Sequence, residues 1–335
     1  MRNIRQQDVL VAGGAGFLGS HLCERLVDWG AQVVCLDSLR TGDRANLRRL
    51  IGAARFELVE ADILDPLPAK LLRRRFDRIY NLACVASPPL YQIDPEHTLL
   101  TSVVGTRQLL RLAADCGARF LQASTSEVYG DPDFHPQPET YWGHVNCTGP
   151  RACYDEGKRA AEALCFDYDR LGRAGVRVAR IFNTYGPRLS ASDGRVVSNI
   201  VSQAIAGTDI TVFGDGSQTR SFCYVADLVE GLVRLMEHEG AQPGPINLGN
   251  PVERSILELV DLVLAITGSQ ANVVFRPLPV DDPRRRRPDI TKAQRLLGWK
   301  PRTSLVEGLR ATVAWFRAEG GAIAARRAEP AAKVA

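Results

Sequence analysis

Six short apolar segments in the first 181 residues constrain the fold of this chain more than any other feature. They occupy residues 9–12, 33–36, 56–60, 78–82, 120–123 and 176–181, and a helical or mixed segment separates each from the next. They lack the polar alternation of half-exposed strands, which predicts strands buried on both faces and covered by helices. We therefore predict an α/β fold with a doubly wound parallel sheet.

A glycine motif follows the first apolar segment and precedes a helix predicted over residues 20–29. Gly13, Gly16 and Gly19 are spaced as Gly-x-x-Gly-x-x-Gly. Glycine at these positions lets the backbone turn tightly and approach a pyrophosphate, whose negative charge meets the helix N-terminus. Glycine turns are common, so the motif alone leaves a purely structural role open. Its place after the first strand favours a Rossmann-type dinucleotide site.

Asp37 follows the second predicted strand, where this fold places a carboxylate that binds ribose. Such a carboxylate accepts hydrogen bonds from the adenosine ribose hydroxyls and repels a 2′-phosphate, so the sequence favours NAD over NADP. Arg40 is a counterargument, because a nearby arginine can accommodate that phosphate. Asp62 and Ile63, after the third strand, lie where this fold meets the adenine, although an aspartate at a strand end also has ordinary structural uses.

A tyrosine and a lysine share one face of a helix predicted over residues 154–171. The i, i+4 spacing of Tyr154 and Lys158 allows the ammonium to lower the phenol pKa and to hold the nicotinamide ribose. A phenol tuned in this way can remove a proton from a sugar hydroxyl as hydride leaves for NAD. The pair also occurs by chance on many helices, so its meaning depends on its neighbours.

Three polar residues, Thr125, Ser126 and Glu127, follow the fifth predicted strand at its carboxyl end. Ligands bind at this end of the strands, so a hydroxyl here can hydrogen-bond a substrate alcohol beside Tyr154. Serine and threonine also form ordinary turns. Oxidation of an alcohol needs no carboxylate, whereas chemistry next to a new ketone can use Glu127 as acid, base or water-orienting group. The alternative is a solvated loop glutamate.

Several longer runs resemble one enzyme family. Residues 124–132, 141–146, 149–159, 180–188, 193–199, 212–222 and 286–290 are similar to motifs of the UDP-glucuronic acid decarboxylases, also called UDP-xylose synthases, within the extended short-chain dehydrogenases/reductases. The resemblance covers residues 8–317. The glycine and Tyr-Lys motifs belong to the whole superfamily, whereas the runs at 124–132 and 149–159 are much narrower.

The resemblance implies a redox-neutral decarboxylation of UDP-glucuronate to UDP-xylose, with NAD consumed and regenerated on one substrate. Tyr154, helped by Thr125, would deprotonate the C4 hydroxyl as hydride passes to NAD. The resulting 4-ketone would allow carbon dioxide to leave, and Glu127 and Ser126 are implicated in the later protonation of C5. Lys158 would stay charged and support both the phenolate and the cofactor.

The resemblance also implies two sets of binding residues, and we expect no metal site. Residues expected to contact NAD are Gly13, Gly16, Phe17, Leu18, Asp37, Ser38, Arg40, Thr41, Gly42, Asp62, Ile63, Leu82, Ala83, Thr101, Tyr154, Lys158 and Arg188. Residues expected to contact UDP-glucuronate are Tyr91, Asn183, Arg195, Val196, Asn199, Val212, Phe213, Gln218, Arg220 and Arg286. An arginine fork suits the pyrophosphate or carboxylate oxygens that Arg286 would meet, whereas Arg284 and Arg285 are expected to be solvated.

Departures from the family pattern keep other functions open. Cys84 and Val85 replace Ser-Pro, residues 147–148 replace Pro-Ile, and Leu100 replaces a lysine that could meet the sugar carboxylate. The same site could epimerise C4 of UDP-glucuronate or dehydrate a nucleotide sugar, and a non-catalytic NAD-binding protein is a remote alternative. Glu127 and the narrow motifs favour decarboxylation, and the complete set of Thr125, Tyr154 and Lys158 argues against a non-catalytic role.

Charge and cysteine content predict the partners and the compartment. The 42 basic and 38 acidic residues give a net charge of +4, and only residues 284–287 concentrate positive charge, so nucleic acid is not an expected partner. Eight cysteines without a Cys-x-x-Cys pair, no apolar leader and no long apolar segment predict a cytoplasmic protein that does not cross a membrane.

We predict two domains and a tail. Residues 1–185 would form an NAD-binding domain with a returning segment at residues 222–249, and residues 186–318 would mainly form a UDP-sugar domain. Residues 319–335 are expected to be a flexible tail. Helices near residues 99–116 and 155–172 resemble the pair through which relatives build a four-helix interface, so we expect a homodimer.

Overall fold

The strands and helices come from a computed structural model that describes residues 4–278 and 285–328, with side chains as far as residue 318. Arg284 and residues 329–335 therefore lie outside the described residues. The strands are β1 Asp8–Ala12, β2 Gln32–Asp37, β3 Phe56–Glu60, β4 Arg78–Asn81, β5 Arg119–Thr125, β6 Val176–Ile181, β7 Thr184–Tyr185, β8 Ile210–Phe213, β9 Thr219–Ser221, β10 Cys223–Tyr224, β11 Ile246–Leu248, β12 Glu253–Ser255, β13 Val273–Arg276 and β14 Arg285–Arg286.

The helices alternate with the strands through the first part of the chain. They are α1 Phe17–Asp28, α2 Ala69–Leu72, α3 Pro88–Tyr91, α4 Pro95–Leu100, α5 Thr106–Cys116, α6 Ala152–Arg170, α7 Val196–Ala206, α8 Val225–Met236, α9 Ile256–Thr267, α10 Thr291–Leu297 and α11 Leu305–Ala328. A π-helical turn, Thr101–Gly105, joins α4 to α5, and 3₁₀ turns occur at Arg44–Leu47 and Ser126–Tyr129. No helix of the described residues combines the length and apolarity that crossing a membrane requires.

Seven strands form one parallel sheet in the order β3-β2-β1-β4-β5-β6-β11. The prediction of an α/β fold with a doubly wound parallel sheet is confirmed. The six predicted apolar segments are β1 to β6, with ends that differ by at most two residues. The seventh strand, β11, is only three residues long and lies within the segment that we predict to return to the first domain.

Alternate residues of each central strand supply two hydrophobic cores on opposite faces of the sheet. In β1, Val9 and Val11 belong to the core under α1 and α8, whereas Leu10 and Ala12 belong to the core under α5 and α6. This alternation follows from the two-residue period of a strand. Burying both faces explains why the strands are apolar throughout.

The smaller unit packs α7, α9 and α11 around a third core with β8 and β13. Ile290, Ala293 and Trp299, around α10, pack instead in the core under α1 and α8. The helix α11 continues to Ala328, into the segment for which we predict a tail.

Candidate active site

A cleft of about 650 Å³ lies at the carboxyl ends of the central strands. At the neighbouring strands β1 and β4 the strand order reverses, because the chain continues from β1 to β2 in one half of the sheet and from β4 to β5 in the other. Doubly wound sheets bind ligands at such a switch point. A pocket of about 80 Å³ adjoins the cleft beside the ends of β2 and β3. Both are lined by Gly13, Gly16, Arg40 and Leu82, so they form one elongated site.

The glycine loop between β1 and α1 is too crowded for side chains. Gly13 has a φ of +76°, and a Cβ added to it would lie 2.7 Å from the carbonyl carbon of Leu82. A Cβ on Gly19 would lie 2.0 Å from the oxygen of Gly13. The helix starts at Phe17, and its N-cap, Gly16, supplies no side-chain cap. The first N–H groups of the helix are thus free of a side-chain cap, as an anion-binding N-terminus requires.

Asp37 is held at the end of β2 by two backbone donors. Its carboxylate accepts hydrogen bonds of 2.8 Å from the N–H groups of Ala15 and Leu39. Burial raises the pKa of Asp37, and these two donors oppose that rise. Arg40 lines the same pocket, but its guanidinium bonds Asp94 at 2.7 Å. The arrangement places a carboxylate acceptor in the pocket and gives the nearby arginine a carboxylate partner.

Asp62 borders the small pocket together with a histidine that the sequence analysis missed. The Nε2 atom of His97 lies 2.8 Å from Asp62 Oδ2, and its Nδ1 atom lies 3.3 Å from the Thr101 hydroxyl. Asp94 caps the helix α4 by accepting from the His97 N–H. The i, i+4 spacing of His97 and Thr101 in the sequence indicates that both residues share one helix face, so the sequence contained a signal for this pair.

Arg188 supplies a buried donor to the main cleft. One of its nitrogens pairs with Glu24, while Nη1 is buried and has no hydrogen-bond partner among the described residues. A buried unpaired donor is costly, and an anionic group in the cleft would satisfy it. Together with the crowded glycine loop, this unpaired donor fits a dinucleotide pyrophosphate. Among the described residues, no group of three or more His, Cys, Asp or Glu side chains could hold a metal ion.

The predicted tyrosine and lysine lie side by side in the cleft. Tyr154 is 6% exposed and stacks on Tyr91 with ring centroids 5.2 Å apart. The ammonium of Lys158 donates to the Ala123 carbonyl at 3.0 Å. Thr125, at the end of β5, accepts from the Glu127 N–H at 3.2 Å. The helix α6 and the strand β5 thus bring the phenol, the ammonium and the hydroxyl to one point.

The expected lowering of the tyrosine pKa is not seen. Burial, followed by the nearby Cys84 and Glu127, raises the pKa of Tyr154 well above its usual value, while Thr125 and Arg195 oppose the rise. The ammonium of Lys158 is directed at a backbone carbonyl, and burial of the phenol is the largest influence on the pKa of Tyr154. The phenol is therefore protonated at neutral pH in this environment.

Glu127 is buried between two arginines from distant parts of the chain. Arg151 Nε lies 3.2 Å from Glu127 Oε2, and Arg286 Nη1 lies 3.4 Å from Glu127 Oε1. Burial acts to raise the pKa of Glu127, but Arg286 and Arg151 outweigh it and hold that pKa below its usual value. The alternative of a solvated loop glutamate is wrong, because the side chain is 8% exposed.

Comparison with known proteins identifies the family of this site. Residues 9–249 match the model of the NAD dependent epimerase/dehydratase family. The chain belongs to this NAD-dependent epimerase/dehydratase family. It is also 53% identical to UDP-glucuronic acid decarboxylase 2 of Arabidopsis thaliana over 92% of this chain and 68% of that one. It is 51% identical to UDP-glucuronic acid decarboxylase 1 of Danio rerio over 93% and 73%. The resemblance drawn from the sequence motifs is thus confirmed.

A solved structure shares the architecture of this chain. The UDP-glucuronic acid 4-epimerase of Bacillus cereus, determined with UDP-glucuronic acid and NAD, matches with a TM-score of 0.83 and 29% identity. The match covers 93% of this chain and 99% of the epimerase. The sister activity that we kept open thus exists on the same scaffold in a more distant relative.

All of the cofactor residues predicted for this family member line the cleft or the adjoining pocket. The predicted catalytic residues and three substrate residues, Asn183, Arg195 and Arg286, also line the cleft. Seven other predicted substrate residues do not line either cavity, namely Tyr91, Val196, Asn199, Val212, Phe213, Gln218 and Arg220. Val212 points into the third core, and Tyr91 packs behind Tyr154.

Two departures from the family pattern have defined places in the structure. Leu100, which replaces a lysine, is 38% exposed, and its own side chain does not line the cleft. Cys84 lines the cleft, and its thiol lies 3.3 Å from the Ser102 hydroxyl. The cysteine that replaces the serine of the family pattern therefore still offers a weak hydrogen-bond donor at this position. Sequence reasoning missed Ser87, Asp193 and Trp315, which also line the cleft.

Proposed function

We propose that this chain converts UDP-glucuronate to UDP-xylose and carbon dioxide, with NAD as a regenerated cofactor. The observation that carries the proposal is Glu127, a buried carboxylate held ionised by Arg151 and Arg286 in the cleft that contains Tyr154. Oxidation of an alcohol alone does not need such a group, whereas chemistry beside the new ketone can use it as acid, base or water-orienting group. The names and identities of the relatives from plants and vertebrates support the same reaction.

NAD, when bound, supplies the hydride acceptor for C4 and the hydride that later returns there. The N-terminus of α1 and Arg188 would hold its pyrophosphate. Asp37 would accept hydrogen bonds from the adenosine ribose, and its charge would disfavour a 2′-phosphate. Lys158 would bind the nicotinamide ribose when its ammonium leaves the Ala123 carbonyl.

Tyr154 would act as the base for the C4 hydroxyl. Its phenol has a raised pKa, so it needs help to ionise in the complex. Thr125 and Arg195 already favour the phenolate, and the positive charges of Lys158 and of oxidised NAD would favour it further. The same phenol can then return its proton to the C4 oxygen when hydride comes back.

The 4-ketone makes loss of carbon dioxide possible, because it stands β to the C6 carboxylate. The electron pair of the broken C5–C6 bond delocalises into the C4 carbonyl to give an enolate. Thr125 and Tyr154 would stabilise the developing charge on that oxygen by hydrogen bonds. Arg195 and Arg286 would hold the pyrophosphate or carboxylate oxygens of the substrate.

We also propose a homodimer in a reducing compartment, the cytoplasm. Leu99 and Leu100, at the end of α4 and the start of the first segment that we predict to pair, are 37% and 38% exposed. All eight cysteines lie within the described residues, and they are free thiols. Light scattering coupled to gel filtration measures the dimer directly, and a mass of one chain at micromolar concentration would exclude it.

The experiment that tests the reaction is incubation of the pure protein with UDP-glucuronate and NAD, followed by proton NMR and a carbon dioxide assay. We expect UDP-xylose and carbon dioxide in equal amounts, and loss of both in Tyr154→Phe. UDP-galacturonate without carbon dioxide would instead indicate a 4-epimerase. No turnover would reject UDP-glucuronate as the substrate.

A further inference from the structure

The carboxyl group of Asp155 is buried beside the site and has no assigned role. Asp155 follows Tyr154 in α6, is 7% exposed, and lies behind the cleft rather than on its surface. Its Oδ1 atom is buried, and no hydrogen-bond donor reaches it among the described residues. Burial of an ionised carboxylate without a partner costs free energy, so the carboxyl group is stabilised by a proton or by a hydrogen-bond partner.

The carboxyl group of Asp155 shares a hydrogen bond with the carboxyl group of Glu127. Two carboxyl groups can share such a bond only when one of them carries a proton. Glu127 has two arginine partners and keeps the negative charge. Burial, and then the charge of Glu127, raise the pKa of Asp155 to about 8, so Asp155 keeps the proton at neutral pH.

The groups around Asp155 come from several elements of the fold. The titratable or charged side chains that face it are Glu127 after β5, Arg151 before α6, Arg286 of β14, Tyr91 of α3 and Cys153 of α6. The arginines favour ionisation of Asp155, and Glu127 and burial oppose it. The proton is therefore retained close to physiological pH, where it can be given up and recovered.

The proposed reaction needs a proton from outside its internal cycle. Tyr154 takes the C4 hydroxyl proton and returns it when hydride comes back, so that cycle balances. C5 loses carbon dioxide, keeps the electron pair of the broken bond, and must gain one proton to become the CH₂ group of xylose. Glu127, being ionised, has no proton of its own to give.

We propose that Asp155 stores the proton that reaches C5 and delivers it through Glu127. The O–H bond of Asp155 breaks as Glu127 takes the proton, and Glu127 then gives it to C5 and recovers its charge. Solvent restores the proton of Asp155. The inference rests on the proposed function, and Asp155 is a positioning residue because it acts through Glu127, which lines the cleft.

The test is Asp155→Asn, which keeps the size and a donor to Glu127 but has no proton to transfer. In a single turnover we expect NADH to form at a rate within about 3-fold of the wild-type rate. Formation of UDP-xylose should slow by about 100-fold, so NADH accumulates, while KM changes little. Glu156→Gln, on the neighbouring half-buried residue, is the matched control and should leave both rates unchanged.

Two outcomes would overturn the inference. Equal slowing of NADH formation and product formation would mean that Asp155 only supports the fold, and unchanged product formation would mean that it supplies no proton. A measurement without substrate is infrared difference spectroscopy of wild type against Asp155→Asn. It should show a protonated-carboxyl band that disappears as pH rises through about 8, and its absence at pH 7 contradicts the inference. Failure of wild type to release carbon dioxide would instead reject the proposed function.

Discussion

Single residues at the ends of strands set what the cleft can bind. Asp37 accepts two backbone hydrogen bonds, which fix its carboxylate at the end of β2 without using all of its acceptor capacity. Glu127 is fixed in a different way, by arginines on both of its oxygens. In each case a buried charge has defined partners, as a pre-organised site requires.

Asp37→Asn should weaken binding of NAD and reduce discrimination against NADP. The substitution removes the charge that accepts from ribose and repels a 2′-phosphate. We expect the Kd for NAD to rise by about 10-fold to 100-fold, the loss associated with one hydrogen bond to a charged group. The Kd for NADP should change less. Titration of both cofactors by calorimetry checks this, and an unchanged ratio of the two constants would refute the assigned role.

Glu127→Gln should slow the chemistry and leave NAD binding intact. The amide has the same size but cannot carry a proton to or from the substrate, and it leaves Arg151 and Arg286 without their shared negative partner. We expect kcat to fall by about 100-fold to 10,000-fold. Glu60→Gln, at an exposed position, is the control. Activity within a few-fold of wild type in Glu127→Gln would remove Glu127 from the mechanism.

At the scale of elements, the apolar segments and the helical or mixed segments between them were sufficient to predict the central sheet. Strands β1, β2, β4, β5 and β6 are largely buried on both faces, so their composition reveals them, whereas only Val59 of the edge strand β3 is fully buried. The short strand β11 could not be found in this way, because three residues are too few to show a hydrophobic periodicity. The helix α1 starts three residues before its predicted start, because its glycine N-cap gives no side-chain signal.

Gly19→Ala adds one methyl group and should disrupt the glycine loop more than any other glycine-to-alanine substitution that we consider. The added Cβ would lie 2.0 Å from the Gly13 oxygen, and both atoms belong to rigid backbone segments. We expect at least a 10-fold loss of NAD affinity and a lower melting temperature. Gly175→Ala, where nothing lies within 4 Å of the new Cβ, is the matched control. Equal effects of the two substitutions on NAD binding would contradict this account of the loop.

At the scale of the whole molecule, the site depends on contacts between residues far apart in sequence. Glu127 and Arg286 are separated by 159 positions, and β14 carries the arginine to the cleft by pairing with β9. The sequence identified both residues as candidates, but not that they contact each other. Long-range placement of this kind depends on the packing of the smaller unit, which periodicity does not encode.

Arg286→Ala should raise the pH at which the enzyme becomes active. Arg286 is the largest of the charges that lower the pKa of Glu127, so its removal lets burial raise that pKa. If Glu127 acts as the ionised form, the acidic limb of kcat/KM moves to higher pH. Arg285→Ala, on the exposed neighbouring residue of the same strand, is the control. A pH profile of Arg286→Ala that is lowered but not shifted would show that Arg286 only binds substrate.

The central claim is that one hydride leaves C4 and returns to the same substrate while carbon dioxide is lost. The most direct test uses UDP-glucuronate carrying deuterium at C4, unlabelled NAD and the wild-type protein, with the product analysed by NMR. The account predicts UDP-xylose that retains deuterium at C4, together with one carbon dioxide for each product molecule. UDP-xylose that has lost the deuterium, or product formed without carbon dioxide, would contradict the account.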